Sequence, residues 1–164
     1  MTRVAAAVTE PVSLGQATPA HTLEMMSWFP SLESCRVWGG PEFRFPFTAE
    51  SFRADCHLEL PSFALLDAGG MLCGFGQYYL RAGRCHLARL VIAPTHRGRG
   101  LGTRLIELLA HAGQVALGVN QCSLFVSAAN TAALALYQRL GFTPAQYPGD
   151  PGLPLPAGCY YMVR

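Results

Sequence analysis

An apolar run, LVIAP (90–94), is separated from the amphipathic run LIELLA (105–110) by HRGRGLGTR (96–104), with three glycines and three arginines in nine residues. Leu101, Leu105, Leu108, Leu109 and Ala112 recur at the spacing of one helical face, so a helix is expected to start inside this stretch. A helix start leaves four N–H groups without intrahelical partners and carries about half a positive charge. Glycines ahead of it let an anion approach the backbone closely, and Arg97 and Arg99 add formal charge. RGRGLG therefore reads as a cradle for a phosphate or diphosphate, although tight turns also need glycine for steric reasons alone.

Two familiar phosphate loops do not fit. A nucleotide P-loop needs a lysine, and the chain has none. A dinucleotide fingerprint needs G-x-G-x-x-G and an acid about twenty residues on. The glycines here are Gly98, Gly100 and Gly102, and no acid occurs from 108 to 149. Charge is divided unevenly: residues 1–67 carry four arginines and eight acids, residues 68–164 eight arginines and two acids. The positive half surrounds the glycine loop, favouring an anionic ligand there.

The rest of the chain reads as one mixed α+β domain over 1–164, with a loose extension over about 1–10. VSLGQA (12–17) can form a strand, and Thr18-Pro19 opens a helix reaching about Trp28. SLESCRVW (31–38) gives a second helix, and Thr48 offers the start of another. SFALL (62–66), MLCGFGQYYL (71–80) and CHLARLVI (85–92) are strand-like and joined by turn-forming DAGG and RAGR, predicting an antiparallel meander. CSLFV (122–126) is a strand, NTAALALYQRLGF (130–142) a helix capped by Asn130 and stopped by Gly141, and CYYMVR a last strand.

Hydrophobic residues make up 51% of 164, enough for a packed core and too many for a disordered chain. No run approaches the eighteen or so apolar residues of a membrane span, and the first residues lack the pattern of a secretory signal. A soluble cytoplasmic protein is expected, with no membrane partner. The six cysteines form no C-x-x-C pair, which argues for reduced, mostly buried thiols and against a metal site.

The stretch VIAPTHRGRGLGTRLIELL resembles motif A of the GNAT superfamily of acetyl-coenzyme A-dependent N-acyltransferases, through Ile92, Pro94, Arg97, Gly98, Gly100, Leu101 and Gly102. Asn130, Ala133, Leu136, Tyr137, Gly141 and Phe142 resemble its motif B. The resemblance covers about residues 85–145. It implies a mixed, mostly antiparallel sheet of six to seven strands flanked by about four helices. Strands four and five would splay apart to admit the pantetheine arm of acetyl-CoA. It further implies that the diphosphate sits on the amides of Arg97, Gly98, Arg99, Gly100, Leu101, Gly102 and Thr103. The pantetheine would pair with the backbone of Leu90, Val91 and Ile92, and Asn130 would contact the cofactor, though it can equally be only a helix cap.

The implied reaction is acetyl transfer to a primary amine of a small molecule, protein or peptide by direct attack. Tyr137 matches the family tyrosine at the leaving sulfur; packing alone could also account for it. Transferring a proton from tyrosine to a thiolate is uphill by about 2 kcal/mol in water, so a hydrogen bond is its adequate minimum role. Glutamate in relatives that acetylate ribosomal protein N-termini is replaced by Phe125, and an acid near the start of strand four by Arg84-Cys85-His86. His86 is the remaining candidate base, with relayed water and a purely structural histidine as alternatives. Trp38, Phe43, Phe45 and Phe47, with Tyr78, Tyr79 and the proline-rich loop 148–156, either wall an acceptor groove or belong to the core. The missing acids motivate a second reading, a catalytically weak acyl-CoA-binding module. Nucleic-acid binding is disfavoured because the arginine-glycine stretch joins two apolar elements. The resemblance leaves a homodimer open.

Overall fold

The computed structural model describes residues 10–149 and 154–164. The expected extension thus lies almost wholly outside the described residues, as does the middle of the 148–156 loop. Seven strands form one mixed sheet: β1 (Val12–Gln16), β2 (Ser62–Asp67), β3 (Leu72–Arg81), β4 (Arg84–Ile92), β5 (Cys122–Ser127), β6 (Thr143–Pro144) and β7 (Cys159–Val163), in the order β1-β2-β3-β4-β5-β7-β6. The meander expected from the turn signals is present as antiparallel β2-β3-β4, with β1 added at its edge. Among the described strands, only β4 and β5 pair in parallel. The helix between them makes the crossover that a parallel pair requires.

Among the described residues, five α-helices flank the sheet. Three are short, α1 (Pro19–Met25), α2 (Leu32–Gly39) and α3 (Ala49–Asp55), and each begins at a hydroxyl residue whose side chain accepts from an N–H of the first turn: Thr18, Ser31 and Thr48. They cover one face over a core of Met25, Phe29, Cys35, Phe43, Phe52 and Phe75. The fourth, α4 (Leu101–Leu117), crosses the opposite face, its Leu105, Ile106 and Leu109 sharing a core with Leu65, Tyr78 and Leu87 of the sheet. Gly113 lets it lie close: a Cβ there would stand 2.4 Å from Cys85 Sγ and 2.9 Å from Tyr78 Cγ. The fifth, α5 (Thr131–Arg139), is capped by Asn130 and stopped at Gly141 as expected, the glycine's φ of +91° turning the chain out of the helix. All six cysteines are free, and all but Cys159 are buried. Among the described residues, no helix is long and apolar enough to cross a membrane.

Candidate active site

The parallel ladder between β4 and β5 is short. Cys85 pairs with Cys122, His86 with Ser123 and Leu87 with Leu124, and there pairing stops although β4 runs on to Ile92 and β5 to Ser127. Residues 88–92 and 125–127 instead line a cleft of about 1220 Å³. The splay expected between strands four and five is therefore present.

A bulge sits on β4 at the mouth of this gap. Gln77 faces Ala88 and Phe75 faces Val91, so Arg89 and Leu90 together oppose Gly76. Arg89 takes φ +47°, in the left-handed region. Gly76 makes room for the extra residue, since a Cβ there would lie 2.8 Å from Leu109 Cδ2 and 3.0 Å from Leu90 Cδ2.

The glycine loop closes one end of the cleft, which Arg97, Gly98, Gly100, Leu101, Gly102 and Thr103 all line. Gly98 and Gly100 have φ +76° and +77°, and a Cβ on either would meet nothing within 4 Å. Backbone geometry thus calls for glycine, and open space lies before it. Gly102 has another role: its Cβ would press to 3.2 Å from Leu136 Cδ2, so it lets α4 approach α5. Gly100 is the N-cap of α4, and no side chain caps this 17-residue helix. Its first N–H groups and positive end face the cleft, and among the described residues no side chain accepts from them.

The arginines of the loop differ. Arg97 Nε donates to the Ile92 carbonyl at 3.1 Å, folding that side chain against the end of β4. Arg99 does not line the cleft, and its Nη1 lies 3.9 Å from Glu10 Oε2. Leu101 points its side chain into the core, leaving only its backbone for a ligand.

The opposite wall comes from α5. Asn130 caps it, Oδ1 accepting from Ala133 N–H at 3.3 Å, and lines the cleft as well. Tyr137 lines the same cleft and is partly buried, its ring 6.1 Å from that of Phe142. Burial pushes its phenol up to about 12, so it remains protonated across the physiological range. Among the described residues, nothing hydrogen-bonds its hydroxyl.

His86 lies elsewhere. It is buried behind the closed part of the ladder and does not line the cleft. Its Nδ1 is 2.9 Å from Ser123 Oγ, and its ring packs against Phe125 and Tyr79. Burial, then the charge of Arg81, lowers its pKa to about 3. The fold does not bring it together with Tyr137, and these contacts suit a structural histidine. Arg84 is also engaged away from the cleft, with Gln121 and the Tyr161 hydroxyl. Phe125, at the position of the relatives' glutamate, does line the cleft.

At the other end, Ser27, Trp28 and Phe29 from the turn that follows α1, and Val37 and Trp38 from α2, form a wall. Of the aromatics considered from sequence, only Trp38 is there. Phe43 is buried in the core, Phe45 and Phe47 pack edge to face beside Phe52, and Tyr78 stacks on Phe63. Sequence reasoning missed Arg89, which lines this half; its one available signal was an arginine embedded in the apolar run CHLARLVI. Asp67, Cys73 and His96, the last of which also lines the cleft, bring one potential metal-ligand atom each within 4.8 Å of one another. Asp67 Oδ1 already accepts from Gly69 and Met71 N–H, and His96 Nδ1 pairs with Thr95 Oγ1.

Comparison with known proteins agrees with this geometry. The acetyltransferase (GNAT) family model matches residues 32–142. Mycothiol acetyltransferase of Clavibacter michiganensis subsp. michiganensis is 37% identical over 91 residues, 52% of this chain and 28% of the relative. Thialysine N-epsilon-acetyltransferase of Mus musculus is 35% identical over 109 residues, 56% of this chain and 62% of the relative. The matched stretches thus span less than two thirds of these relatives' own lengths. An acetyltransferase from Thermus thermophilus superposes with a TM-score of 0.68 at 26% identity, covering 95% of this chain and 97% of that one. The spermidine N-acetyltransferase from Vibrio cholerae, in complex with CoA and spermine, shares the fold with a TM-score of 0.69 at 17% identity, covering 93% and 94%. With its glycine loop, splayed strands and motif-B helix in one cleft, this chain belongs to the GNAT acetyltransferase family.

Proposed function

We propose that the protein is an N-acetyltransferase that moves an acetyl group from acetyl-CoA to a primary amine by direct attack, the whole chain serving as one catalytic domain. The observation that carries this reading is the continuity of the cleft. An uncapped helix start behind two positive-φ glycines, an unpaired strand edge and the Tyr137 hydroxyl all open into one space. The residues fit the donor: backbone amides of 97–103 for its diphosphate, the free edge of Leu90–Ile92 for its pantetheine amides, and Asn130 beside it. Acetyl-CoA supplies an activated thioester, and the chain supplies position and charge.

In the reaction, a C–N bond forms as the amine nitrogen attacks the thioester carbonyl and the C–S bond breaks. A backbone N–H near Val91 or Ile92 stabilises the charge that develops on the carbonyl oxygen. Tyr137 donates a hydrogen bond to the departing sulfur. With a phenol at about 12 and a thiol near 8.5, complete transfer is uphill by about 5 kcal/mol, so hydrogen bonding is its working role. The nitrogen, cationic once it has attacked, gives its extra proton to water as the amide forms. The departing sulfur takes a proton from water, so the protons balance. Since Phe125 stands where relatives carry an acid and His86 faces away from the cleft, the amine enters as the free base or loses its proton to water.

The free thiols support a reducing, cytoplasmic setting. The test is incubation with acetyl-CoA and a panel of amines, reading thiol release above the hydrolysis background. Turnover of an amine supports the reading; tight binding without turnover across the panel favours an acyl-CoA-binding module instead.

A further inference from the structure

Arg89 has no role in the chemistry above, yet the fold invests in holding it. Gln77 is fully buried, and its Nε2 donates toward the Cys56 carbonyl at 2.6 Å, the His57 carbonyl at 3.1 Å and Ser62 Oγ at 2.9 Å. Those partners fix the amide's orientation and leave Oε1 to accept from Arg89 Nη1 at 2.9 Å. The bulge with φ +47° aims the arginine at this acceptor, on the face covered by α1–α3.

A guanidinium offers five N–H donors, and Arg89 uses one. Its Nε is buried without a partner, and among the described residues no carboxylate pairs with it. Two acids whose charge reaches it are each engaged elsewhere: Asp55 with Arg44 at 2.9 Å and Glu59 with His57 at 2.8 Å. A half-buried cation without a counter-ion is costly unless a ligand supplies the charge. The donor's diphosphate belongs at the glycine loop, beyond the far end of β4. The acceptor half of the cleft is also poor in negative charge. Of the eight acids in residues 1–67, only Glu33 lines it, on an exposed position of α2.

We propose that Arg89 binds a carboxylate of the acceptor, so that the enzyme acts on amino acids or carboxylate-bearing peptides rather than on polyamines. This rests on the acetyl-transfer reading and narrows its substrate class. The positive charge also disfavours protonation of a nearby amine, keeping the nucleophile in its reactive form without a dedicated base.

The test uses the two tryptophans of the chain, Trp28 and Trp38, which both line the cleft and so report its occupancy by fluorescence. The protein is loaded with coenzyme A and titrated with N-acetyl-alanine, N-acetyl-phenylalanine and N-acetyl-lysine, each against its carboxamide, and with N-acetylspermidine. At least one acid is expected to bind about ten-fold or more tighter than its amide and than the polyamine, the usual advantage of a charge-assisted pair. Arg89→Met is expected to remove that preference and Arg89→Lys to keep part of it, both with unchanged coenzyme A affinity. Neither adds much backbone strain, because Met and Lys are unbranched at Cβ like Arg and meet the same left-handed cost. Equal or tighter binding of the amides, failure of every acid to bind, or a preference that survives in Arg89→Met would overturn the proposal. Turnover is not needed for this readout, so loss of the acetyl-transfer reading would show separately, in the thiol-release assay.

Discussion

Leu87 and Leu124 form the last pair of the parallel ladder, and one residue beyond them β4 and β5 part. The opening is therefore set by where pairing ends, and Tyr137 reaches into the resulting cleft from α5. Removing the phenol oxygen leaves the ring packing with Phe142 in place. Tyr137→Phe is expected to lower kcat by about 10²-fold, with acetyl-CoA affinity within about two-fold of wild type. Steady-state kinetics with calorimetry checks this, and an unchanged kcat returns Tyr137 to the core.

Gly100 is the N-cap of α4 at φ +77°, in open space. Gly100→Asp places a negative charge at the proposed diphosphate site and is expected to weaken acetyl-CoA binding by at least about 10²-fold. Gly100→Ala adds only the left-handed penalty, about 1 kcal/mol of stability, and a smaller loss of affinity. Parallel titrations and thermal melts of the two variants separate charge from strain.

The buried neutral imidazole of His86 makes stability depend on pH. Its folded pKa of about 3 lies below the 6.5 of an unfolded chain, so the unfolded state binds the extra proton. This stabilisation is complete above pH 6.5 and is lost as the pH falls toward 3. Denaturant unfolding at about pH 7 and about pH 4.5 is expected to differ by about 2 kcal/mol more in wild type than in His86→Gln. Equal pH sensitivity of the two proteins would contradict the buried assignment.

Helix α4 lies close to the sheet at Gly113, and a methyl there meets Cys85 and Tyr78. Gly113→Ala gains helix propensity but overpacks the core, and the net is expected to be a loss of about 1–3 kcal/mol, seen as a Tm lower by several degrees. A raised Tm would show that the helix can shift without cost.

Local sequence signals carried far where a residue type answers a local need. The three hydroxyl N-caps, the hairpin turns and the positive-φ glycines of 98 and 100 are of this kind. The buried face of α4 was legible at Leu101, Leu105 and Leu109, whereas Leu108 and Ala112 lie at its flank while Ile106, Ala110 and Gly113 are buried. Residues at the edge of a helical stripe are sorted by what they pack against, which periodicity alone does not contain. Arg89 escaped because a bulge resets the alternation of β4, and its place depends on Gln77, twelve positions away. His86 had the right chemistry for a base, but its exposure was decided by Phe125 and Ser123 on the neighbouring strand.

The proposed donor binding turns on a diphosphate resting on the amides at the start of α4. Calorimetric titration with coenzyme A and, separately, with pantetheine, which lacks the diphosphate, addresses that directly. Micromolar binding of coenzyme A and at least about 10²-fold weaker binding of pantetheine are expected. Equal affinities, or no heat from coenzyme A at millimolar concentration, would contradict it.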